Sequence, residues 1–299
     1  MEQSRIYTKG GLLQITLESP GCTYGKSGHC KMCYYGSGQK IGIKEAVSAV
    51  ECALMQFPEP SAILIGSFGS PLDEAEVDRD VLKVVLNKVA ENPVKNIYVE
   101  THCNTINAES LQFLKDNLPD KYINIEMGLE SSNEEVLKNV INKVLNLGRM
   151  VSTIELIHSY GMSVALNVIY GLWYDKKAMQ DDFIETCKWA HNKGADEIVA
   201  FIMNVKPGTY LEELFNQGKY TLPSHREFIA TLYELSDDIL SKIYFSWFGE
   251  RQYRGERLDC IPPSYDGFEP EATMSFYRKF MESENIRERR KLIVDILNS

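Results

Sequence analysis

Long apolar runs are missing from this 299-residue chain. A helix that crosses a bilayer needs about 20 consecutive apolar residues, so no membrane span is expected. The N-terminal stretch MEQSRIYTKG lacks the apolar core of a secretion signal, and the expectation is a cytoplasmic protein. Positive charge is also scarce. Lys and Arg number 32 against 42 Asp and Glu, a formal net charge of −10. The field of the whole molecule therefore repels phosphate backbones and offers no general funnel for nucleic acid. The densest basic run, Arg287, Arg289, Arg290 and Lys291, lies on an amphipathic C-terminal pattern and is expected to be a solvated helix face. Cysteine is neither abundant nor even: there are seven, and Cys52, Cys103, Cys187 and Cys260 are scattered. That excludes a secreted disulfide framework. Internal repeats, low-complexity tracts and Pro/Gly/Ser linkers are absent too, so a continuous domain over 1–220 with an extension over 221–299 is the simplest organisation.

What the chain does have is an alternation of short β-branched runs with stretches of helical periodicity, the pattern of repeated βα units around a parallel sheet. The strand candidates are LLQITL (12–17), AILIG (62–66), NIYVE (96–100), YINIEMGL (122–129), SVALNVIYG (163–171) and EIVAFIM (197–203). Apolar residues from Ile43 to Phe57 line one helix face that Pro58 ends, and Val77 to Val89 form a second. A helix start signal at Asn133, before Glu134 and Glu135, is expected to open the fourth connection, which Gly161 closes before the next strand. After Pro223 the pattern changes to a helix over 228–243, an aromatic strand candidate YFSWFG (244–249), and two further helical stretches. The fold class implied is α/β, a partial TIM-like (βα)6 barrel of parallel strands with a mainly helical C-terminal extension that covers the barrel.

The remaining three cysteines sit together in GCTYGKSGHCKMCYYGSG, with the spacing C-x7-C-x2-C at Cys22, Cys30 and Cys33. In a reducing compartment such a cluster binds metal or does redox chemistry more often than it forms bridges. Two occupants are open. Structural zinc normally takes four protein ligands from two CxxC-like pairs; here one such pair exists, and His29 would have to complete the set from beside Cys30. On that reading the chain is a zinc-binding interaction protein. Three thiolates can instead hold an iron–sulfur cluster with one iron left for a substrate or cofactor. The surrounding glycines let the loop wrap an inorganic core closely. Its position directly after the first predicted strand is the mouth of a parallel sheet, where such folds place their chemistry.

With these residues in view, the chain resembles the radical SAM superfamily. GLESSNEEVLKNVINK (128–143) and NVIYGLW (167–173) resemble segments of its coproporphyrinogen dehydrogenase and Elongator catalytic subunit branches, and IGSFGSPLDEAEV (65–77) and KPGTYLEEL (206–214) resemble the radical SAM subunit of archaeosine synthase. The resemblance implies a [4Fe–4S] cluster on Cys22, Cys30 and Cys33, with S-adenosylmethionine cleaved reductively to a 5′-deoxyadenosyl radical in an oxygen-sensitive enzyme. It implies an electron donor such as flavodoxin or ferredoxin. It places Met32 near the adenine, Gly66 and Ser67 at the methionine amino group, Glu100 and Glu130 on ammonium or ribose, Lys143 at the methionine carboxylate and Asn167 at the ribose. Without the resemblance, Gly66 and Ser67 make a strand-to-helix turn, the two glutamates cap helices, and Asn167 is a satisfied core amide. His102 and Cys103 are candidates for substrate-side acid/base or thiol chemistry, although an isolated cysteine such as Cys103 is usually a small core residue. The substrate expected is a small molecule or one delivered on a carrier. The archaeosine synthase likeness implies modified tRNA as the alternative.

Overall fold

The structure is a computed structural model, which describes residues 11–27, 30–32, 38–173, 175–246 and 260–299, and the backbone of 4–9. Cys33 and His29, and the stretch 247–259 that contains part of YFSWFG, lie outside the described residues. The fold class is α/β of the partial TIM-barrel type, with strands that follow one another in chain order. Two compact units divide the chain.

The first unit comprises Met1–His29, Tyr35–Gly128 and Asn146–Ala165. It opens with β1 (Ser4–Lys9), antiparallel to β2 (Leu12–Leu17). Gly11, at φ 82°, makes the turn between them in a conformation that only glycine adopts freely. The sequence reading did not include β1, because SRIYTK mixes polar and apolar residues without a two-residue period. From β2 onward the pairing is parallel, to β3 (Ala62–Ser67), β4 (Asn96–Thr101) and the first part of β5 (Tyr122–Glu130). Leu13, Ile15, Ile63, Ile65, Ile97, Val99 and Ile125 are fully buried. Runs buried on both faces read as continuous apolar segments, which is why the strands were legible. The covering helices are α2 (Ile43–Gln56), α3 (Arg79–Ala90), α4 (Ala108–Asn117) and α5 (Leu147–Ser159), while the thiol loop begins on a single turn, α1 (Thr23–Lys26).

The connection that opens at Asn133 and closes at Gly161 is broken into two helical pieces. Val136–Val140 form a π-helical turn, Asn142 reverses the chain at φ 52°, and α5 starts again under the side-chain cap of Asn146. Periodicity carried the pattern across a gap that the Lys143 N–H closes by bonding to the Leu137 carbonyl at 2.7 Å.

The second unit comprises Cys30–Tyr34, Leu129–Leu145 and Leu166–Ser299. It holds the end of β6 (Ser163–Tyr170), α6 (Lys176–Asn192), β7 (Glu197–Ile202), α7 (Tyr210–Asn216), α8 (His225–Tyr233), α9 (Asp237–Leu240), β8 (Ile243–Phe245), α10 (Pro270–Glu282) and α11 (Ile286–Leu297). Its centre is aromatic: Phe228, Phe245, Tyr277 and Phe280 pack edge-on or tilted at 4.9–6.4 Å. His225 stacks on Tyr265 and shares a 2.8 Å hydrogen bond with the Tyr277 hydroxyl, and burial lowers its pKa to about 4.

Arg289 corrects two expectations. It is 3% exposed, so the basic run is not a plain solvated face. Its guanidinium donates to the carbonyls of Leu240, Ser241, Ile243 and Ser283, and Arg290 donates to those of Tyr233 and Leu235. These arginines satisfy the carbonyls where the expected single helix over 228–243 ends twice and turns into β8.

Candidate functional site

In the first unit the site is built on the loops that follow β2, β3 and β4. Cys22 is buried just before α1, and its Sγ lies 3.4 Å from Nε2 of His102. One residue further on, the Thr23 N–H donates to Glu76 Oε1 at 2.9 Å and the Thr23 hydroxyl to the same oxygen at 3.0 Å. The Ser70 N–H takes the other carboxylate oxygen. Glu76 is 1% exposed, and burial raises its pKa against the lowering effect of the Thr23 and Ser70 hydrogen bonds. It ties the thiol loop to the β3 loop. Gly69 makes room for it, since a Cβ there would fall 1.9 Å from Glu76 Oε2. Sequence reasoning missed Glu76. The signal available was an acidic residue between Ala75 and Val77, in a loop otherwise dominated by turn residues.

At the end of β4, the hydroxyls of Ser70, Thr101 and Thr105 bond to one another, and Thr105 Oγ1 donates to the His102 carbonyl at 2.8 Å. Gly66 at the end of β3 leaves bare backbone: a Cβ would come within 2.9 Å of Glu100 Oε2. Gly66 and Glu100 are thus brought together. Ser67 Oγ accepts from the Gly69 N–H at 3.2 Å, the turn role that was its alternative. Cys103 is buried at 4%, its Sγ 3.6 Å from Asn104 Oδ1.

In the second unit, the Lys31 N–H bonds to the Ile141 carbonyl at 2.9 Å, so the segment that carries Cys30 is docked on the end of the π-helical turn. Met32 lines an apolar crevice of about 20 Å³ with Ile141, Leu172, Met203 and Tyr210, and the Lys31 ammonium lies 5.1 Å from the Tyr210 ring centre. Glu130 ends β5 in a left-handed conformation, φ 66°, which is strained for a residue with a side chain. Its carboxylate pairs with the Lys143 ammonium at 2.8 Å, both side chains being nearly buried. Two residues expected to hold a ligand are therefore brought to each other. Behind them Ser131 donates to Asp182 at 2.7 Å, and burial raises the Asp182 pKa to about 6.

Among the described residues, Asn167 Oδ1 on β6 and Asn204 Oδ1 just past β7 are buried and accept no hydrogen bond. A buried acceptor without a donor costs about 1–3 kcal/mol; His191 Nδ1 on α6 is a third buried polar atom of this unit without a partner among the described residues. Asn204 was not among the expected residues, although an amide directly after the apolar run EIVAFIM is the same signal that marked Asn167.

Residues 19–190 match the family model of the Radical SAM superfamily, a stretch that contains Cys22, Cys30 and Cys33. The chain belongs to the radical SAM superfamily. It is 29% identical over 71% of its length to archaeosine synthase subunit beta of Methanosarcina acetivorans, covering 63% of that protein. In structure it is similar to methylornithine synthase, with a TM-score of 0.59 and 14% identity over 81% of this chain and 64% of that one. It is likewise similar to the Elp3 of Methanocaldococcus infernus, with a TM-score of 0.52 and 14% identity over 80% of this chain and 57% of that one. The chain thus spans less than two thirds of each of these proteins.

The cofactors of this superfamily are a [4Fe–4S] cluster and S-adenosylmethionine, and the residues present fit them. Cys22 supplies a buried thiol clamped from both sides, Gly66 bares a strand end, and the amide oxygens of Asn167 and Asn204 lack donors. The spacing keeps one CxxC only, which does not complete a four-ligand zinc site. Among the described residues no helix is long and apolar enough to cross a membrane.

Proposed function

We propose that this chain is a radical SAM enzyme that abstracts hydrogen from a small or carrier-delivered substrate. The observation that carries the reading is the family match across the three-thiol loop. When bound, the cluster and S-adenosylmethionine supply a one-electron cleavage of the sulfonium, which releases methionine and a 5′-deoxyadenosyl radical able to take a hydrogen atom from carbon. The electron comes from a flavodoxin- or ferredoxin-class donor. The protein's part is binding, orientation and exclusion of water.

In this reading Cys22, Cys30 and Cys33 ligate iron, and Glu76 holds the first thiol segment in place through Thr23. The backbone at Gly66 and the carboxylate of Glu100 receive the methionine ammonium, with Ser67 setting the turn. Lys143, oriented by Glu130, presents an ammonium to the methionine carboxylate as a point charge. Asn167 and Asn204 accept the ribose hydroxyls, and Met32 with the crevice around it faces the adenine. On this reading the reacting core is 1–220, with 221–299 as an extension, and a cysteine pattern without a secreted disulfide framework is in keeping with a reducing cytoplasm.

A tRNA nucleoside is the second reading, favoured by the archaeosine synthase relative. Against it stand the charge of −10 and the fact that Arg289 and Arg290, the centre of the densest basic run, are bonded to backbone carbonyls. The test uses pools prepared from cells grown on deuterated medium. Bulk tRNA, small metabolites and protein are each incubated with the loaded enzyme and S-adenosylmethionine, and the 5′-deoxyadenosine is weighed by mass spectrometry. Deuterium from the metabolite or protein pool supports the first reading, and deuterium from tRNA the second. 5′-Deoxyadenosine that stays unlabelled with every pool argues against hydrogen abstraction from carbon.

A further inference from the structure

The contact between Cys22 Sγ and His102 Nε2 has no place in the cofactor contacts described above. At 3.4 Å it is the length of an N–H···S hydrogen bond, sulfur being the larger acceptor. Both partners are held. The Tyr24 ring meets the imidazole edge-on at 5.6 Å and 72°, and Asn104 Nδ2 donates to the Tyr24 hydroxyl. The His102 carbonyl accepts from both the Thr105 N–H, at 3.0 Å, and its hydroxyl. On the sulfur side, Thr23 is fixed by Glu76.

Cys22, His102 and Glu76 also bring one ligand atom each within 4.8 Å of one another, which by distance alone resembles a site for a single metal ion. The carboxylate decides against that. Its two oxygens already accept three hydrogen bonds, from Thr23 N–H, Thr23 Oγ1 and Ser70 N–H. An imidazole nitrogen facing a sulfur is what remains.

We propose that His102 is a positioning residue of the iron–sulfur site: its Nε2–H donates to the Cys22 thiolate, aims Sγ and raises the reduction potential of the cluster. The proposal rests on the iron–sulfur reading of the thiol loop. A hydrogen bond to a ligand sulfur strengthens as negative charge on that sulfur grows. Reduction adds that charge, so the donor stabilises the reduced state more than the oxidised one. The proton stays on Nε2 throughout, with no transfer to sulfur.

The experiment loads the full chain anaerobically as wild type, H102Q and H102L, assays iron and sulfide, and follows the EPR signal of the reduced cluster in a redox titration without S-adenosylmethionine. Gln keeps an N–H donor at similar reach, whereas Leu keeps the bulk and removes the donor. H102L is expected to show a roughly tenfold lower ratio of reduced to oxidised cluster at fixed potential, equal to 59 mV for one electron, and H102Q to recover most of it. The inference is overturned if H102L titrates with wild type at equal cluster content, or if H102Q shifts as far as H102L. Should H102L take up too little iron to titrate, pulsed EPR of the reduced wild-type cluster in protein labelled with ¹⁵N-histidine gives the answer. A weak ¹⁵N coupling that disappears in H102Q supports the bond, and a spectrum identical in both removes it. A wild type with no cluster signal at all counts against the iron–sulfur reading instead.

Discussion

Around Cys22 the polar side chains are bonded to one another, whereas Asn167 and Asn204 present buried amide oxygens that accept nothing among the described residues. The first arrangement is preorganised: Glu76, Thr23, Ser70 and His102 keep a thiol in one place before anything arrives. The second leaves two acceptors unsatisfied. On the proposed function the difference separates residues that build the site from residues that receive a ligand. It predicts opposite stability signatures for the two groups.

The sharpest break is C22A. Loss of one thiolate from a three-cysteine set removes the cluster, so iron and sulfide per chain and 5′-deoxyadenosine formation are expected to fall to background, read by chemical analysis and chromatography. Next in size is E76A, which leaves the Thr23 and Ser70 N–H groups without their acceptor inside the fold, while the Thr23 hydroxyl keeps Asp73 Oδ2 at 3.1 Å. It is expected to lower the unfolding free energy of the unloaded protein by about 3 kcal/mol in a urea titration.

N167L probes the other side. The unloaded protein should stay within about 1 kcal/mol of wild type, because an unpaired acceptor is lost. S-Adenosylmethionine should bind roughly tenfold more weakly, about 1.4 kcal/mol by calorimetry. A destabilisation as large as that of E76A would erase the distinction between the two groups.

The smallest effect is a pH dependence. His225, lowered to about 4 in the fold, contributes stability that is lost as pH falls from its unfolded value near 6.5 toward 4. Asp182, raised to about 6, works in the opposite sense: its folded form keeps a proton that the unfolded chain releases, so stability falls as pH rises from 3.8 toward 6. The two slopes offset each other in the wild type. D182N removes the opposing Asp182 slope, and the urea midpoint should rise more steeply between pH 4 and 6.5 than in wild type.

The six strands were readable because short runs rich in apolar and β-branched residues stand out between the helical stretches; LLQITL, interrupted only by Gln14 and Thr16, is β2 to the residue. The thiol loop and Asn167 were readable because each interrupts its surroundings chemically. Glu76, Asn204 and His102 were harder to read, since Glu76 and His102 meet partners 53 and 80 positions away in sequence and Asn204 meets none among the described residues. The break between the π-helical turn and α5 was invisible to periodicity, because Asn142 and Lys143 look like ordinary helix surface until the Glu130 pair is seen. Likewise Arg289 reads as solvated in a run of like charges, and only the carbonyls of Leu240, Ser241 and Ile243 explain its burial.

The most direct measurement of the central claim is anaerobic reconstitution with iron and sulfide, followed by EPR of the reduced protein with and without S-adenosylmethionine and an assay of 5′-deoxyadenosine in the same tube. The account predicts a [4Fe–4S] signal that S-adenosylmethionine perturbs, together with 5′-deoxyadenosine. A stable, colourless protein that holds one zinc per chain and yields neither signal would contradict it.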